Sequence, residues 1–102
     1  MLRRRNVPSP AEKKSSLRLR LYVAGNAPNS LRAIANISAI CDEHFPMKYA
    51  LEIVDLIEQP GRAAADQVIV TPTLIRLAPK PMGRVIGSLS DTDQVLLALG
   101  AK

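Results

Sequence analysis

Along residues 17–24 apolar positions alternate with others: Leu17, Leu19, Leu21 and Val23 against Arg18, Arg20 and Tyr22. A period of two is strand geometry, so the pattern predicts a first strand with one clearly buried face. Gly25-Asn26-Ala27-Pro28 interrupts it, and Pro28 and Asn29 stand where a helix start accepts them. Leu31, Ile34, Ile37, Cys41 and Phe45 then recur every three or four residues, with Ile40 widening the stripe. That spacing predicts an amphipathic helix ending before Pro46. Residues 49–56, rich in Leu, Ile and Val, predict a second strand. The helix between the strands is long enough for a right-handed crossover, so they should be parallel neighbours.

Beyond residue 56 local preferences conflict. Pro60 opens a segment whose residues 62–67, Arg-Ala-Ala-Ala-Asp-Gln, favour helix. The next four residues, Val68-Ile69-Val70-Thr71, are all β-branched and favour extended chain. A strand over 74–77, a turn at 79–83 and a short strand over 84–87 follow. Ser90-Asp91-Thr92-Asp93 reads as a helix N-cap close to the capping-box form, and Val95, Leu96 and Leu99 give the closing helix its core face. The order β-α-β-α-β-β-α is the α/β layout of a thioredoxin-like domain. Neither an internal repeat nor a low-complexity stretch interrupts it.

Charge divides the chain. Of its net +5, residues 1–20 carry +6, from seven basic side chains and Glu12, and the remaining residues carry −1. Residues 1–16 contain two prolines and no periodicity, which predicts a flexible basic tail ahead of one domain over 17–102. Such a tail reads first as solubilising. Nucleic-acid binding is the weaker alternative, because neither aromatic interleaving nor a recognition helix accompanies the charge. No apolar run reaches the roughly 18 to 20 residues of a membrane span, and no signal-peptide core follows the N-terminal charges. One cysteine, Cys41, allows no internal disulfide, as expected of a cytoplasmic protein.

Candidate chemistry is sparse. A dithiol oxidoreductase needs a cysteine just after the first strand, at a helix N-terminus that lowers its pKa. Residues 25–30 there read Gly-Asn-Ala-Pro-Asn-Ser, without sulfur. Cys41 lies more than two turns into the helix on its apolar face, as a core residue would. A thiol oxidoreductase is therefore the disfavoured alternative. His44, the single histidine, falls at the helix end; Asp42/Glu43 and Asp91/Asp93 suit solvated or capping roles. No phosphate loop or metal-ligand spacing occurs, so no enzyme activity, metal or cofactor is expected. What stands out is backbone chemistry. Pro72, between Thr71 and Thr73, enters a strand where thioredoxin-like folds place a cis-proline, and Pro79 and Pro81 follow within ten residues. Because X-Pro bonds isomerise slowly, this stretch is expected to hold alternative conformers; three ordinary trans prolines around a turn are the plainer alternative.

Four blocks then align with a known family. Leu21-Tyr22-Val23-Ala24-Gly25-Asn26-Ala27-Pro28-Asn29-Ser30, Tyr49-Ala50-Leu51-Glu52-Ile53-Val54-Asp55-Leu56, Thr71-Pro72-Thr73-Leu74 and Ile86-Gly87-Ser88-Leu89-Ser90-Asp91 together resemble KaiB, of the cyanobacterial circadian clock. The resemblance runs from about Leu17 to Leu99. It implies a metamorphic protein with two folds that differ in the C-terminal half: a thioredoxin-like monomer and a differently paired, usually tetrameric ground state. The conflicting preferences of residues 62–72 fall in that half. It further implies a regulatory module that docks on the N-terminal ATPase ring of a KaiC-type protein, in competition with a histidine kinase whose sensor is KaiB-like. Arg20, Arg32 and Arg84 match the family's basic partner surface. Glu52 replaces a usual lysine near the KaiA-facing edge, which argues against KaiA capture. Ser88 replaces a usual aspartate, and the acidic C-terminal tail of clock members does not appear before Lys102. These departures imply a divergent member, with stress signalling an alternative to timekeeping. Ala98 stands where clock relatives often have glycine. Alanine favours helix by roughly 1 kcal/mol, about fivefold in a two-state population, which tilts the expectation toward the thioredoxin-like form.

Overall fold

The computed structural model describes residues 17–100. The sixteen residues read as a basic tail lie outside the described residues. The elements are β1 (Leu17–Val23), α1 (Pro28–His44), β2 (Tyr49–Asp55), α2 (Arg62–Ala65), β3 (Thr73–Ala78), β4 (Gly83–Ile86) and α3 (Thr92–Leu99). They build one four-stranded sheet of order β2-β1-β3-β4. β1 and β2 are parallel, as the crossover length requires, while β3 runs antiparallel to β1 and β4 to β3.

Central β1 explains the sheet's two faces. Leu17, Leu19, Leu21 and Val23 enter a core shared with Ala33, Ile37, Ile40 and Cys41 of α1, Leu74 and Val85 of the sheet, and Val95, Leu96 and Leu99 of α3. Each buried Leu or Ile there contributes about 1.5–3 kcal/mol. The opposite face carries only a small apolar cluster, Tyr22, Val54 and Ile75, fringed by Leu56, Val68 and Leu77. Among the described residues no long helix covers that face.

Three details depart from the sequence reading. Leu31, expected on the core stripe, is 50% exposed, while Ser30 and Ala33 are buried. The start of α1 runs close to the end of β1, where the Ala24 N–H donates to Ser30 Oγ at 3.0 Å. Small residues permit that approach, and Leu31 is turned outward. The segment expected to be helical over 62–67 forms a single turn. It ends at Ala65; two residues on, Gln67 takes a left-handed φ of 54°, and the β-branched run after it disfavours helix. The cap of α3 is Asp91, whose carboxylate accepts from the Gln94 N–H, one residue later than the Ser90 pairing. At its other end α3 stops at Gly100, left-handed at φ 82°. The Thr71–Pro72, Ala78–Pro79 and Lys80–Pro81 bonds are all cis.

Candidate docking surface

The face of the sheet away from α1 holds three of the four residues matched to the partner surface, Arg20, Glu52 and Arg84. Pairing register sets Glu52 beside Arg20, Arg20 beside Ile75, and Ile75 beside Arg84. A row Glu52–Arg20–Ile75–Arg84 thus crosses all four strands. Alternation along β1 puts Arg20 and Tyr22 on this face because Leu19 and Leu21 are committed to the other.

These side chains form a connected network with the segment that crosses above them. Arg20 Nε donates to Glu52 Oε1 at 2.7 Å, and Arg20 Nη1 donates to Asp66 Oδ2 at 2.9 Å. Arg62 Nη2 donates to the other Glu52 oxygen at 3.1 Å. The Tyr22 hydroxyl donates to Asp66 Oδ2 at 2.6 Å. Arg84 forks onto backbone, donating to the Asp66 carbonyl at 2.6 Å and the Gln67 carbonyl at 3.2 Å. The side chains of Asp66, Arg20 and Glu52 are 13%, 24% and 25% exposed, so the charges are shielded enough for the pairs to matter.

Ionisation follows from these contacts. The hydrogen bond from Tyr22, helped by Arg20, holds the Asp66 carboxyl below its ordinary range despite partial burial. Burial alone would raise Glu52, but the hydrogen bonds from Arg20 and Arg62 outweigh it and the net direction is down. Burial likewise opposes the charge on Arg20, and its two carboxylate partners reverse that, so its pKa is raised. Burial pushes the Tyr22 phenol up, and the Asp66 carboxylate adds to the shift.

Arg32 does not join this group. It is exposed on the first turn of α1, which covers the other face, and donates to Asn29 Oδ1 at 2.8 Å. Pro72 is buried, Pro79 and Pro81 are exposed in the β3–β4 connection, and Ala98 is half-buried in α3. Arg76 ties that connection down by donating twice to the Pro81 carbonyl, at 2.6 and 3.2 Å. The Ser88 carbonyl accepts from Asn36 Nδ2 at 2.9 Å, joining the turn before α3 to α1. Sequence reasoning did not reach Asp66, Tyr22, Arg62 or Arg76 as members of a site.

Thiol chemistry has no footing here. Burial, with a smaller contribution from Asp42, pushes the Cys41 thiol up to about 12, so essentially no thiolate exists near neutral pH. No group of three or more His, Cys, Asp or Glu able to hold a metal ion occurs among the described residues. Nor is any described helix long and apolar enough to cross a membrane.

The described residues thus form a thioredoxin-like domain without the redox cysteines and with a charged row on its open face. The solved N-terminal domain of Synechococcus elongatus SasA overlays with a TM-score of 0.69 at 22% identity, covering 94% of each chain. Mitochondrial thioredoxin 3 of Saccharomyces cerevisiae gives 0.69 at 13% identity, covering 88% of this chain and 82% of its own. Both likenesses concern the fold. In sequence, residues 20–101 match the KaiB domain. Circadian clock protein KaiB3 of Synechocystis sp. is 51% identical over 81 residues, 79% of each chain. The circadian clock oscillator protein KaiB of Prochlorococcus marinus (strain MED4) is 46% identical, over 79% of this chain and 76% of its own. The chain belongs to the KaiB family.

Proposed function

We propose that this chain is a non-catalytic clock-type or stress-signalling regulator that docks on the N-terminal ATPase ring of a KaiC-type protein. The observation that carries the reading is the arginine-bearing open face of a KaiB-family sheet, with Arg20 and Arg84 in one row. Arginine forks suit carboxylates, and Arg84 is exposed enough to offer its remaining N–H groups to a partner. Arg32, on the other side, extends the contact only if the partner reaches around the start of α1. A histidine kinase with a KaiB-like sensor would compete for the same ring. KaiA capture is disfavoured at Glu52, whose carboxylate is engaged by Arg20 and Arg62. Self-association belongs to the alternative ground-state pairing, in which residues of the C-terminal half change partners.

The test is a pull-down with the KaiC-type ATPase of the same genome in ATP, over hours, comparing wild type with Arg84→Glu and Arg32→Glu. Binding lost in Arg84→Glu, with folding verified by circular dichroism, is the expected result. Absence of wild-type binding would move the function to another partner.

A further inference from the structure

Residues 57–72 cross the open face with little apolar hold. Val68 alone among them fringes the Tyr22–Val54–Ile75 cluster. Ile57, Ile69 and Val70 are 71%, 93% and 46% exposed. One turn of helix is all the regular structure the segment has, too short to stand by itself. Gln67 keeps a left-handed backbone at φ 54°, a conformation that persists only where its surroundings impose it. Its surroundings are polar, and Asp66 draws more of the bonds from the sheet than any other residue of the segment, with Arg62, Gln67 and Val70 making others. The Asp66 carboxylate accepts from Arg20 and Tyr22 of β1, and its carbonyl accepts from Arg84 of β4.

We infer that the Asp66 carboxylate is the latch holding segment 57–72 on the open face of the sheet. Protonating it, or replacing it by an amide, frees the segment while the helix-covered core stays folded. Among the described residues, the charged or titratable groups set around the latch are Arg20 and Tyr22 from β1, Glu52 from β2 through Arg20, Arg62 from α2 and Arg84 from β4. From β3 the face receives Ile75 and Leu77, which do not titrate. Removing the negative charge leaves Arg20 and Arg84 facing one another's side of the row with Glu52 as the remaining counterion. Release uncovers Tyr22, Val54 and Ile75, and frees the Arg84 fork from its two carbonyls. The device is independent of which partner the protein meets.

Residue-resolved hydrogen exchange tests it. In the native chain the Ala63, Gln67 and Val68 amides are bonded within the segment. At neutral pH, Asp66→Asn is expected to speed their exchange about tenfold or more, the size set by charge-assisted hydrogen bonds, with the Leu21 and Ile37 amides unchanged. Unchanged exchange in the segment, or equal acceleration everywhere, would overturn the latch. Tyr22→Phe, which removes a single donor, should speed the same three amides by a smaller factor, and no change there also counts against it. In wild type, the segment's exchange relative to the core, corrected for intrinsic rates, should rise as pH falls below the ordinary carboxylate range. Asp66→Asn should remove most of that rise, leaving only the part that Glu52 contributes through Arg62. A wild-type ratio that stays flat down to global acid unfolding overturns the proposal.

Discussion

At Glu52 the sign of one charge sets whether two arginines of the open face are neutralised or repelled. Its carboxylate stands between Arg20 and Arg62, and a lysine there would set a third cation beside them. Glu52→Lys is therefore expected to cost about 2 kcal/mol or more, since it removes charge-assisted bonds and adds repulsion; the urea midpoint measures it. Acid acts on the same groups. Glu52 and Asp66 both titrate lower in the folded chain than unfolded, so their contribution is fully present above about pH 5. It is lost as pH falls through their lowered native values. Urea midpoints should fall between pH 6 and pH 3, and Glu52→Gln should shallow that fall. Cys41 behaves oppositely to a redox thiol. With its pKa near 12 and no exposure, it should resist thiol reagents in the native chain and react only on unfolding.

Elements differ in how far their sequences determine them. β1 announces itself because its alternation is strict and its apolar half meets α1 and α3. α1 has correct ends, yet Leu31 faces outward because Ser30 must approach Ala24, a tertiary demand that periodicity does not express. Leu31→Gln should leave stability within about 0.5 kcal/mol by chemical denaturation, whereas Ile37→Ala should cost about 2–5 kcal/mol. α2 ends at Ala65, shorter than its alanines suggest, because the β-branched run follows and Arg84 takes the Asp66 and Gln67 carbonyls. The network around Asp66 was hidden for a plain reason. Its bonds span 10 to 46 residues, and the register of the sheet brings them together. The visible signal was a strand whose second face reads Arg20-x-Tyr22, two polar tips that need partners. Ala98 acts within α3, beside Gly83, where an added Cβ would lie 3.3 Å from the Ala98 carbonyl. Ala98→Gly should weaken α3 by roughly 1 kcal/mol, seen as loss of its amide protection in NMR.

As a whole, the molecule is asymmetric about its sheet. One side is a packed core under two helices; the other is a thin polar cover over an arginine row. The first resists change, and the second is held by bonds that water, acid or a competing carboxylate can replace. Under the docking proposal that division makes the open face the part offered to a partner, while the helical side keeps the fold. Electrostatic docking through arginines also carries a salt signature, with affinity for an acidic partner falling as ionic strength rises.

The most direct test of the docking account is to map the bound surface by NMR cross-saturation, using labelled protein on the ATP-loaded KaiC-type ring. The account predicts saturation transfer concentrated on β1, β4 and segment 57–72, around Arg20 and Arg84. Transfer confined to the outer surfaces of α1 and α3, with the open face untouched, would contradict it.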